Sequence, residues 1–344
     1  MKLTCVSLEL HPRHPFRISR GRRTEVRNVF VRLERDGIAG YGEASPNAFY
    51  EETWEGVLQK IEAACGFLAV LNLQTVAGLE AAWGKLWEIV APSRAALCAL
   101  DLAMWDWLAR RRGVSVTELM WDRRPKPVTT FCTIGLSAGE ELATKIEEVR
   151  TFPRIKIKSD AAASLHTLKY LRARSAALLA VDANCAWDAV DLRALSKTLA
   201  QLGVAFIEQP WPPERDAGLA RARAVLPLLA DESCVVEEDV ARVAPHFDGF
   251  NIKLVKCGGL TPARRMLLRG KVMKKTMMTG CMLESSALIA AGAALAQRTD
   301  YADLDGAWLL GDDPFHGWQF ARGILQPPAG PGLGAEPEAA LFES

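Results

Sequence analysis

Histidine is scarce in this sequence, and the catalytic patterns that most often use it are missing. Only five of the 344 residues are histidine, and none lies in an H-E-x-x-H segment or beside a G-x-S-x-G segment. The first pattern holds zinc in metalloproteases, and the second carries the nucleophile of many serine hydrolases. The eight cysteines are widely spaced and never form a C-x-x-C pair, which argues against a zinc or redox site. We therefore interpret the cysteines as reduced core residues and expect neither type of hydrolase.

An excess of one charge and long apolar runs are also missing. The chain has 42 Lys and Arg against 41 Asp and Glu, a net charge of +1, so nothing indicates a nucleic-acid surface. The apolar run over residues 287–296 is ten residues long, whereas a bilayer span needs roughly 20. The start, MKLTCVSLELHP, shows no apolar signal core. We expect no nucleic-acid or membrane partner and a cytoplasmic location, where thiols stay reduced.

The first third of the chain predicts a mixed α+β region. VRNVFVRLE over residues 26–34 alternates apolar and polar residues and ends before Asp36-Gly37, a typical hairpin turn. One long amphipathic helix is expected over residues 51–73 and a second over 75–90. A third begins with Ser93 as its N-cap.

From Pro127 onward, short apolar or β-branched runs alternate with helical stretches, which is typical of βαβ units around a parallel sheet. Eight such runs occur: VTTFCTI, RIKIK, ALLAVDA, VAFIEQ, LLADES, FNIKLV, KTMMTG and YADLDG. Successive intervals of 24, 26, 23 and 22 residues separate the polar ends Lys158, Asp182, Glu208, Asp231 and Lys253. Asp303 lies 50 residues farther on, or two more units. Eight repeats of one strand and one helix predict a (β/α)₈ barrel, whose strand C-termini open onto one face where catalytic groups collect.

These patterns divide the chain into three expected parts. They are an N-terminal α+β domain over residues 1–123, a barrel domain over 124–312 and a C-terminal segment over 313–344 that returns to the N-terminal domain. Two aspartates of the helix that begins at Ser93, Asp101 and Asp106, are interpreted as packing residues and not as catalytic ones.

Two lysines lie on one face of the second barrel strand. Lys156 and Lys158 are two residues apart, so both side chains point into the barrel if the intervening isoleucine faces the helices. Adjacent ammonium groups lower each other's pKa, so one of them can be neutral near pH 7 and act as a base. The alternative is a charged strand end that discourages aggregation.

Three carboxylates end the next three strands. Asp182, Glu208 and Asp231 would repel one another in a shared barrel mouth, and a bound cation is the simplest way to keep them ionised. Oxygen ligands without Cys or His favour a hard ion, Mg²⁺ ahead of Mn²⁺. The alternative is a set of separate salt bridges or helix caps.

A third lysine, Lys253, ends the sixth strand, across the mouth from Lys158. A lysine on each side of a metal-held substrate suits proton transfer at one carbon from either face. Lys256 lies three residues farther on, beside Cys257-Gly258-Gly259, and is assigned to the loop. Asn251, Lys253 and Val255 share one strand face.

With these residues in place, the chain resembles the enolase superfamily, in its muconate-lactonising subgroup, and within it the dipeptide epimerases. The matching segments extend from about residue 15 to 306: PFRISRGRRTEVRNVFVRLE, YGEASP, ALDLAMWDWLARR, KIK, VDANCAW, IEQP, ADES, NIKLVKCGG, GCMLESS and DLDG. The resemblance implies a modified barrel under a capping domain that both termini build.

The resemblance also implies a role for each residue of the mouth. Asp182, Glu208 and Asp231 would bind Mg²⁺, with Asn184 and Asn251 beside these ligands. Lys158 and Lys253 would be the two acid/base catalysts, and Lys156 would assist at the substrate carboxylate and lower the pKa of Lys158. Asp303 and Asp305 would hold the α-ammonium group of a dipeptide, although a turn into Gly306 is the alternative reading. The implied reaction is a two-lysine 1,1-proton transfer through a metal-stabilised enediolate, with no organic cofactor.

The sequence leaves the substrate open. Arg17, Arg20, Arg22 and Arg23 of the cap would favour an acidic second residue, as in L-Ala-L-Glu and the recycling of cell-wall peptides, whereas Asp312 and Asp313 would attract a cation. The alternatives are a muconate-type cycloisomerase or an o-succinylbenzoate-synthase-like relative, and a catalytically silent barrel that binds a ligand. The basic stretch from Arg264 to Lys275 is read as a solvated face. A homo-oligomer is left open, since it would rest on fold analogy alone.

Overall fold

A computed structural model describes residues 1–18, 21–160 and 162–343 of the chain. The N-terminal strands are β1 (Lys2–Leu10), β2 (Phe16–Ile18), β3 (Gly21–Arg23), β4 (Val26–Arg35) and β5 (Ile38–Ala44). The helices that follow are α1 (Trp54–Ala63), α2 (Cys65–Val70), α3 (Val76–Val90), α4 (Arg94–Arg111) and α5 (Val116–Trp121). Strands β1, β4 and β5 form an antiparallel sheet with β4 in the centre, and β2 pairs with β3.

The sheet packs closely on α4, which is buried over most of its length. Gly40 and Gly42 in β5 permit this approach, because an added Cβ would lie 2.3 Å from the Ala103 carbonyl oxygen and 2.0 Å from that of Ala99. Ser93 caps α4, as expected, by accepting a hydrogen bond from the amide of Ala96 at 3.1 Å. The small residues of this strand and helix therefore fix the cap as one packed unit.

The prediction of one helix over residues 51–73 is wrong. The structure has two helices there, α1 and α2, which meet at Ala64. Thr53 begins α1 by accepting a hydrogen bond from the amide of Gly56 at 3.2 Å. The apolar residues Val57, Ile61 and Leu68 are buried on both sides of the break, so the apolar pattern continues across it and hides it in the sequence.

The second part of the chain forms the barrel. Its first elements are β6 (Val128–Thr129), β7 (Cys132–Ile134), α6 (Gly139–Val149), β8 (Arg154–Lys158), α7 (Ala162–Arg172), β9 (Leu178–Asp182), α8 (Leu192–Gln201), β10 (Val204–Glu208), α9 (Leu219–Ala222) and β11 (Leu228–Ala230). The remaining ones are α10 (Asp239–Val243), β12 (Gly249–Lys253), α11 (Leu254–Cys257), α12 (Leu260–Val272), β13 (Thr276–Gly280), α13 (Ser286–Ala296), β14 (Tyr301–Asp303) and α14 (Gly306–Leu309).

Strands β7 to β14 form one parallel eight-stranded sheet in sequence order, which confirms the predicted barrel. The amide of Phe131 donates to the carbonyl of Ala302 at 2.8 Å and joins the two edges of the sheet. The first predicted run is divided, because its start, β6, pairs instead with β17 (Ile324–Gln326), which in turn pairs with β16 (Gln319–Ala321).

The C-terminal residues contact the N-terminal sheet. Strand β15 (Phe315–His316) pairs with β18 (Glu336–Pro337). The ring of Phe315 stacks on Phe30, with centroids 5.6 Å apart, and the ring of Phe342 stacks on Tyr41 at 5.8 Å. Pro12 also bridges to Leu310 just after α14. Aromatic contacts thus join the two ends of the chain over the barrel.

Asp101 and Asp106 act as packing residues, as predicted. The hydroxyl of Thr261 donates to Asp101 Oδ1 at 2.6 Å and joins α4 to α12. Asp106 Oδ2 accepts from the amide of Tyr41 and from Arg110, both at 2.9 Å.

None of the helices over the described residues combines the length and the hydropathy that a bilayer span requires.

Strand register brings the ionisable residues to one level. Lys158 of β8 is paired with Asp182 of β9, and Asp182 with Glu208 of β10. On the other side of the barrel, Lys253 of β12 is paired with Gly280 of β13, and Gly280 with Asp303 of β14. Residues at regular intervals in the sequence therefore lie side by side at the barrel mouth, in one row on each side of the barrel.

Candidate active site

A cavity of about 90 Å³ opens at the C-terminal ends of the barrel strands, between the barrel and the cap. The cap contributes Arg23, Asn47, Phe49 and Tyr50 to its lining. The barrel contributes, among others, Thr133, Lys156, Lys158, Asn184, Asp231, Glu232, Lys253, Met282, Asp303 and Asp305.

Three buried carboxylates lie together beside this cavity, and one of them, Asp231, lines it. Asp182 ends β9, Glu208 ends β10 and Asp231 directly follows β11, and one oxygen of each lies within 4.8 Å of the other two. Burial and then the Asp182 carboxylate raise the pKa of Glu208 to about 7. A divalent cation would relieve this repulsion, and a donor set made only of carboxylate oxygens suits Mg²⁺. The residues that are present therefore fit the predicted metal.

Lys158 and Lys253 contact opposite ends of this carboxylate row. Lys158 Nζ lies 2.5 Å from Asp182 Oδ2, and Lys253 Nζ lies 2.7 Å from Asp231 Oδ2. Both lysines are largely buried and line the cavity. The two amines that the sequence places on separate strands thus face the cavity from two sides.

Lys156 occupies the centre of the cluster. Its Nζ donates to Glu208 Oε2 at 3.0 Å, contacts Asp303 and lies 3.7 Å from Asp182 Oδ2. Burial alone would lower the pKa of Lys156, but the carboxylates of Asp303, Glu208 and Asp182 outweigh it and raise that pKa.

The expected mutual lowering of lysine pKa values is therefore not found at Lys156. Lys253 behaves in the same way: burial lowers its pKa, but Asp231 and Glu208 outweigh burial and raise it. The sequence argument counted the neighbouring ammonium group and omitted the carboxylates, which form ion pairs with both amines.

Lys256 was assigned to a loop, and this assignment is wrong. It lies in the short helix α11, is buried, and donates to Asp231 Oδ1 and to the Asp231 carbonyl, both at 2.6 Å. It also donates to the carbonyls of Cys234 at 3.0 Å and Asn251 at 3.2 Å. Burial would raise the pKa of Asp231, but Lys253 and Lys256 lower it well below its usual value. The sequence did contain a signal for this position. In NIKLVK, Lys256 lies three residues after Lys253 at the strand end, which is about one helical turn.

The polar residues beside the carboxylates have defined partners. Asn251 Nδ2 donates to Glu208 Oε1 at 2.7 Å, and the amide of Asn184 donates to Asp182 Oδ1 at 2.9 Å. Sequence reasoning missed Gln209, whose Oε1 accepts from the amides of Asp231 at 2.9 Å and Ser233 at 3.1 Å. Gln209 has a positive φ of 34° and is buried, so the Q of the IEQP segment braces the turn that presents Asp231.

Asp303 and Asp305 lie together at the end of β14, next to β7. The amide of Thr133 donates to Asp305 Oδ2 at 2.6 Å, and its hydroxyl donates to Asp303 Oδ1 at 3.3 Å. Burial and then the Asp303 carboxylate raise the pKa of Asp305 to about 7. The pair is thus a confined anionic position on the wall of the cavity.

The arginines of the cap are distributed unevenly. Arg23 lines the cavity and donates to Asn47 Oδ1 at 3.3 Å, whereas Arg22 in β3 is exposed. Arg20 lies outside the described residues.

The two aspartates considered as a cation attractor have other partners. Asp312 contacts His11, with Oδ2 2.8 Å from Nδ1. Asp313 accepts from the amide of Ser286 at the start of α13 at 3.1 Å. Neither lines the cavity, so their charges serve the junction between the cap and the barrel.

The basic stretch around α12 is mainly a surface feature, as expected. Arg269, Lys271 and Lys274 are exposed. Arg265 bridges Glu80 of α3 and Glu237, the latter at 2.7 Å, so part of the stretch ties the barrel to the cap.

Comparison with known proteins agrees with this architecture. Residues 2–121 match the family model of the mandelate racemase / muconate lactonizing enzyme N-terminal domain, and residues 140–341 match the enolase C-terminal domain-like model. An L-Ala-D/L-amino acid epimerase of Flavobacterium johnsoniae is 36% identical over 94% of this chain and 96% of its own length. The L-Ala-D/L-Glu epimerase of Escherichia coli is 35% identical over 94% of this chain and 99% of its own.

Among solved structures, a dipeptide epimerase from Methylococcus capsulatus in complex with Mg and L-Arg-D-Lys superposes with a TM-score of 0.88. It has 32% identity and covers 97% of this chain and 99% of its own. The barrel, the cap, both family models and these near full-length relatives place this chain in the enolase superfamily, within the group of mandelate racemase and muconate lactonizing enzyme.

Proposed function

We propose that the protein is a Mg²⁺-dependent dipeptide epimerase. The observation that carries the proposal is the pair Lys158 and Lys253, which line one cavity and contact opposite ends of a buried, all-carboxylate cluster. Epimerisation needs a proton to be removed on one face of a carbon and returned on the other, and two amines on two sides of a bound molecule meet that need. The names of the relatives support the same reaction class.

In this proposal Asp182, Glu208 and Asp231 hold the metal ion. The bound ion supplies the positive charge that makes the hydrogen next to the substrate carboxylate acidic enough for an amine to remove. Lys253 contacts Asp231, so a cation held by that carboxylate would weaken this ion pair and lower the raised pKa of Lys253.

The lysines then carry out the proton transfers. One neutral amine takes the α-proton of the second residue, and the bond electrons pass into the adjacent carboxylate as it becomes an enediolate. The opposite lysine, protonated, donates its proton to the other face of the same carbon, and the configuration inverts. Lys156 stays protonated among its carboxylates and is placed to balance charge on the substrate carboxylate.

Asp303 and Asp305 would bind the α-ammonium group of the first residue. They form an anionic position on the cavity wall, and a dipeptide presents a cation at its amino end. A substrate without an amine would leave this pair without a partner, which discriminates against it.

For the second residue we propose glutamate, as in L-Ala-L-Glu. Arg23 is the cap arginine of the described chain that reaches the cavity, and Asp312 and Asp313 are engaged elsewhere. One relative is named for an acidic dipeptide and another was solved with a cationic dipeptide bound, so the choice of glutamate rests on the residues of this chain. An Ala-Glu substrate would suit the recycling of cell-wall peptides.

We also propose the division into a cap over residues 1–123, a barrel over 124–312 and a returning segment over 313–344. A cytoplasmic location and a homo-oligomer stay predictions.

The test is to incubate the protein with Mg²⁺ and a library of L,L-dipeptides in D₂O and to follow the products by NMR and mass spectrometry. Deuterium at the α-carbon of the second residue, with inversion, supports the proposal. A cyclised or dehydrated product from an amine-free acid would point instead to a cycloisomerase or an o-succinylbenzoate-synthase-like enzyme. Complete absence of exchange, with ligand binding retained, would indicate a silent barrel.

A further inference from the structure

The two carboxylate oxygens of Asp231 contact different lysines. Oδ2 lies 2.7 Å from Nζ of Lys253, which lines the cavity. Oδ1 accepts from Nζ of Lys256 at 2.6 Å, and Lys256 is not among the residues that line the cavity. The oxygen of Asp231 on the cavity side is therefore Oδ2.

Lys256 is held from several sides. Besides Oδ1, its Nζ donates to the carbonyls of Asp231 at 2.6 Å, Cys234 at 3.0 Å and Asn251 at 3.2 Å. An ammonium group has three N–H donors, so these four acceptors engage all of them. The side chain is also buried. Because its contacts join the loop after β11 to strand β12, Lys256 cannot leave Oδ1 without breaking them.

The other two carboxylates of the cluster show the same division. In each, one oxygen contacts a lysine that lines the cavity, and the other accepts from an asparagine. The partners are Lys158 and Asn184 for Asp182, and Lys156 and Asn251 for Glu208. Each carboxylate of the cluster thus has one oxygen on a cavity lysine and one on a second donor, and at Asp231 this second donor is a cation.

We propose that Lys256 is a positioning residue that limits Asp231 to a single metal-binding oxygen. The inference rests on the metal site of the proposed function and not on its substrate. Lys256 keeps Oδ1, so Asp231 offers a metal ion Oδ2 alone, the oxygen that Lys253 contacts. Mg²⁺ requires a near-octahedral arrangement with few protein oxygens, whereas Ca²⁺ readily takes both oxygens of one carboxylate. A carboxylate with one oxygen already engaged therefore favours Mg²⁺ over Ca²⁺.

The test compares the binding of Mg²⁺ and Ca²⁺ to the unmodified protein and to Lys256→Met. Dissociation constants for both ions are measured by isothermal titration calorimetry on metal-free protein without substrate. Loss of the ammonium charge changes the affinity for both divalent ions alike, so the ratio of the two constants reports on the second oxygen. We expect the ratio to move by about tenfold toward Ca²⁺ in K256M, the lower end of what partners of metal ligands usually contribute. An unchanged ratio would overturn the inference.

The matched control is Lys145→Met, at another buried lysine. Lys145 lies in α6 and contacts Glu141 at 2.7 Å and the Ser137 hydroxyl at 2.9 Å, outside the carboxylate cluster. K145M should keep the ratio of the unmodified protein. An equal change in both variants would show a general loosening of the fold and would also overturn the inference.

A second measurement applies should K256M fold poorly. In a crystal structure of the unmodified protein with Mg²⁺, we expect Lys256 Nζ to stay within hydrogen-bond distance of Asp231 Oδ1 and Oδ2 alone to bind the ion. Both oxygens of Asp231 on the ion, or a displaced Lys256, would overturn the inference.

The outcomes separate the inference from the proposed function. If dipeptides are epimerised with Mg²⁺ but the ratio is the same in K256M, the inference fails and the proposed function stands. If neither ion binds to the unmodified protein, the Mg²⁺-dependent function fails and takes the inference with it.

Discussion

The mouth of the barrel and the layer beneath it are built from the same strands but are held together by different forces. On β9, Ala180 of the lower layer is two residues from Asp182 of the mouth, and on β10 Phe206 is two residues from Glu208. The lower layer is an apolar cluster of Phe131, Ala180, Phe206, Leu229 and Met278, with Tyr301 packed against it. On each of these strands, two residues thus separate an apolar layer from a layer of buried charged groups.

The lower layer is stabilised by burial and ring packing. Phe206 contacts Phe131 and Tyr301, with ring centroids 5.7 and 5.0 Å apart. In the mouth, each of the lysines 156, 158, 253 and 256 has a carboxylate partner. Removing one partner from an ionic core leaves an uncompensated buried charge, whereas removing one ring leaves only a cavity. The difference shows that the mouth is organised for chemistry and the lower layer for stability.

The largest expected effect lies in the mouth. Lys158→Ala and Lys253→Ala should each lower the rate of epimerisation by about 10² to 10⁴-fold, the usual contribution of a general acid or base. One of the two variants should still exchange the α-proton on a single face, because the other lysine remains. NMR in D₂O measures both rates.

The control for the lysine variants is Lys85→Ala, which removes an exposed lysine of α3. Its activity should match that of the unmodified protein. Normal epimerisation by both K158A and K253A would contradict the two-base assignment.

The lower layer should show the opposite response. Phe206→Ala should reduce the free energy of unfolding by about 3–5 kcal/mol, the usual cost of deleting a buried aromatic ring. The kcat of the folded variant should change little, since Phe206 belongs to the apolar cluster and packs against Phe131 and Tyr301. Urea denaturation measures the free energy of unfolding, and a steady-state assay measures kcat. A large loss of kcat without a loss of stability would contradict the distinction between the two layers.

Lys256 should combine both properties. Lys256→Met should cost about 3–5 kcal/mol near pH 7, because it removes the buried amine that donates to Asp231 Oδ1 and to three carbonyls. Lys256 helps hold the pKa of Asp231 below its usual value, so this stabilisation is present above about pH 4 and is lost as the pH falls below it. The difference in unfolding free energy between the two proteins should therefore shrink in acid. A difference that does not change with pH would show that Lys256 acts by packing alone.

The smallest effect concerns the anionic pair on the cavity wall. Because the pKa of Asp305 is raised to about 7, the carboxyl is protonated below that pH and attracts an ammonium group less. The KM for a dipeptide should rise by about tenfold for each pH unit below 7, following the ionised fraction. Asp305→Asn should have a high KM that no longer follows this titration, and a KM with the original pH dependence in that variant would contradict the assignment.

The intervals between polar strand ends were enough to predict the barrel and its mouth. Asp182, Glu208 and Asp231 lie together because a strand-helix repeat of fixed length returns each strand end to the same level. The predictions that were wrong, a single helix over residues 51–73 and an undivided first barrel strand, also have physical causes. The break between α1 and α2 at Ala64 leaves the apolar pattern intact, and β6 leaves the barrel to pair with β17, a strand nearly two hundred residues away.

The sequence by itself placed the residues at the strand ends, Lys158, Asp182, Glu208, Asp231 and Lys253, at the barrel mouth, because strand and helix periodicity is a local property of the chain. Only the tertiary structure decided which partner each of them has. It directed the buried amine of Lys256 to Asp231, used Gln209 to brace the same residue, and raised the pKa of Lys156 where sequence reasoning expected it to fall. Charges interact through space, and their balance at each atom depends on groups from several strands that the sequence does not place at a defined distance.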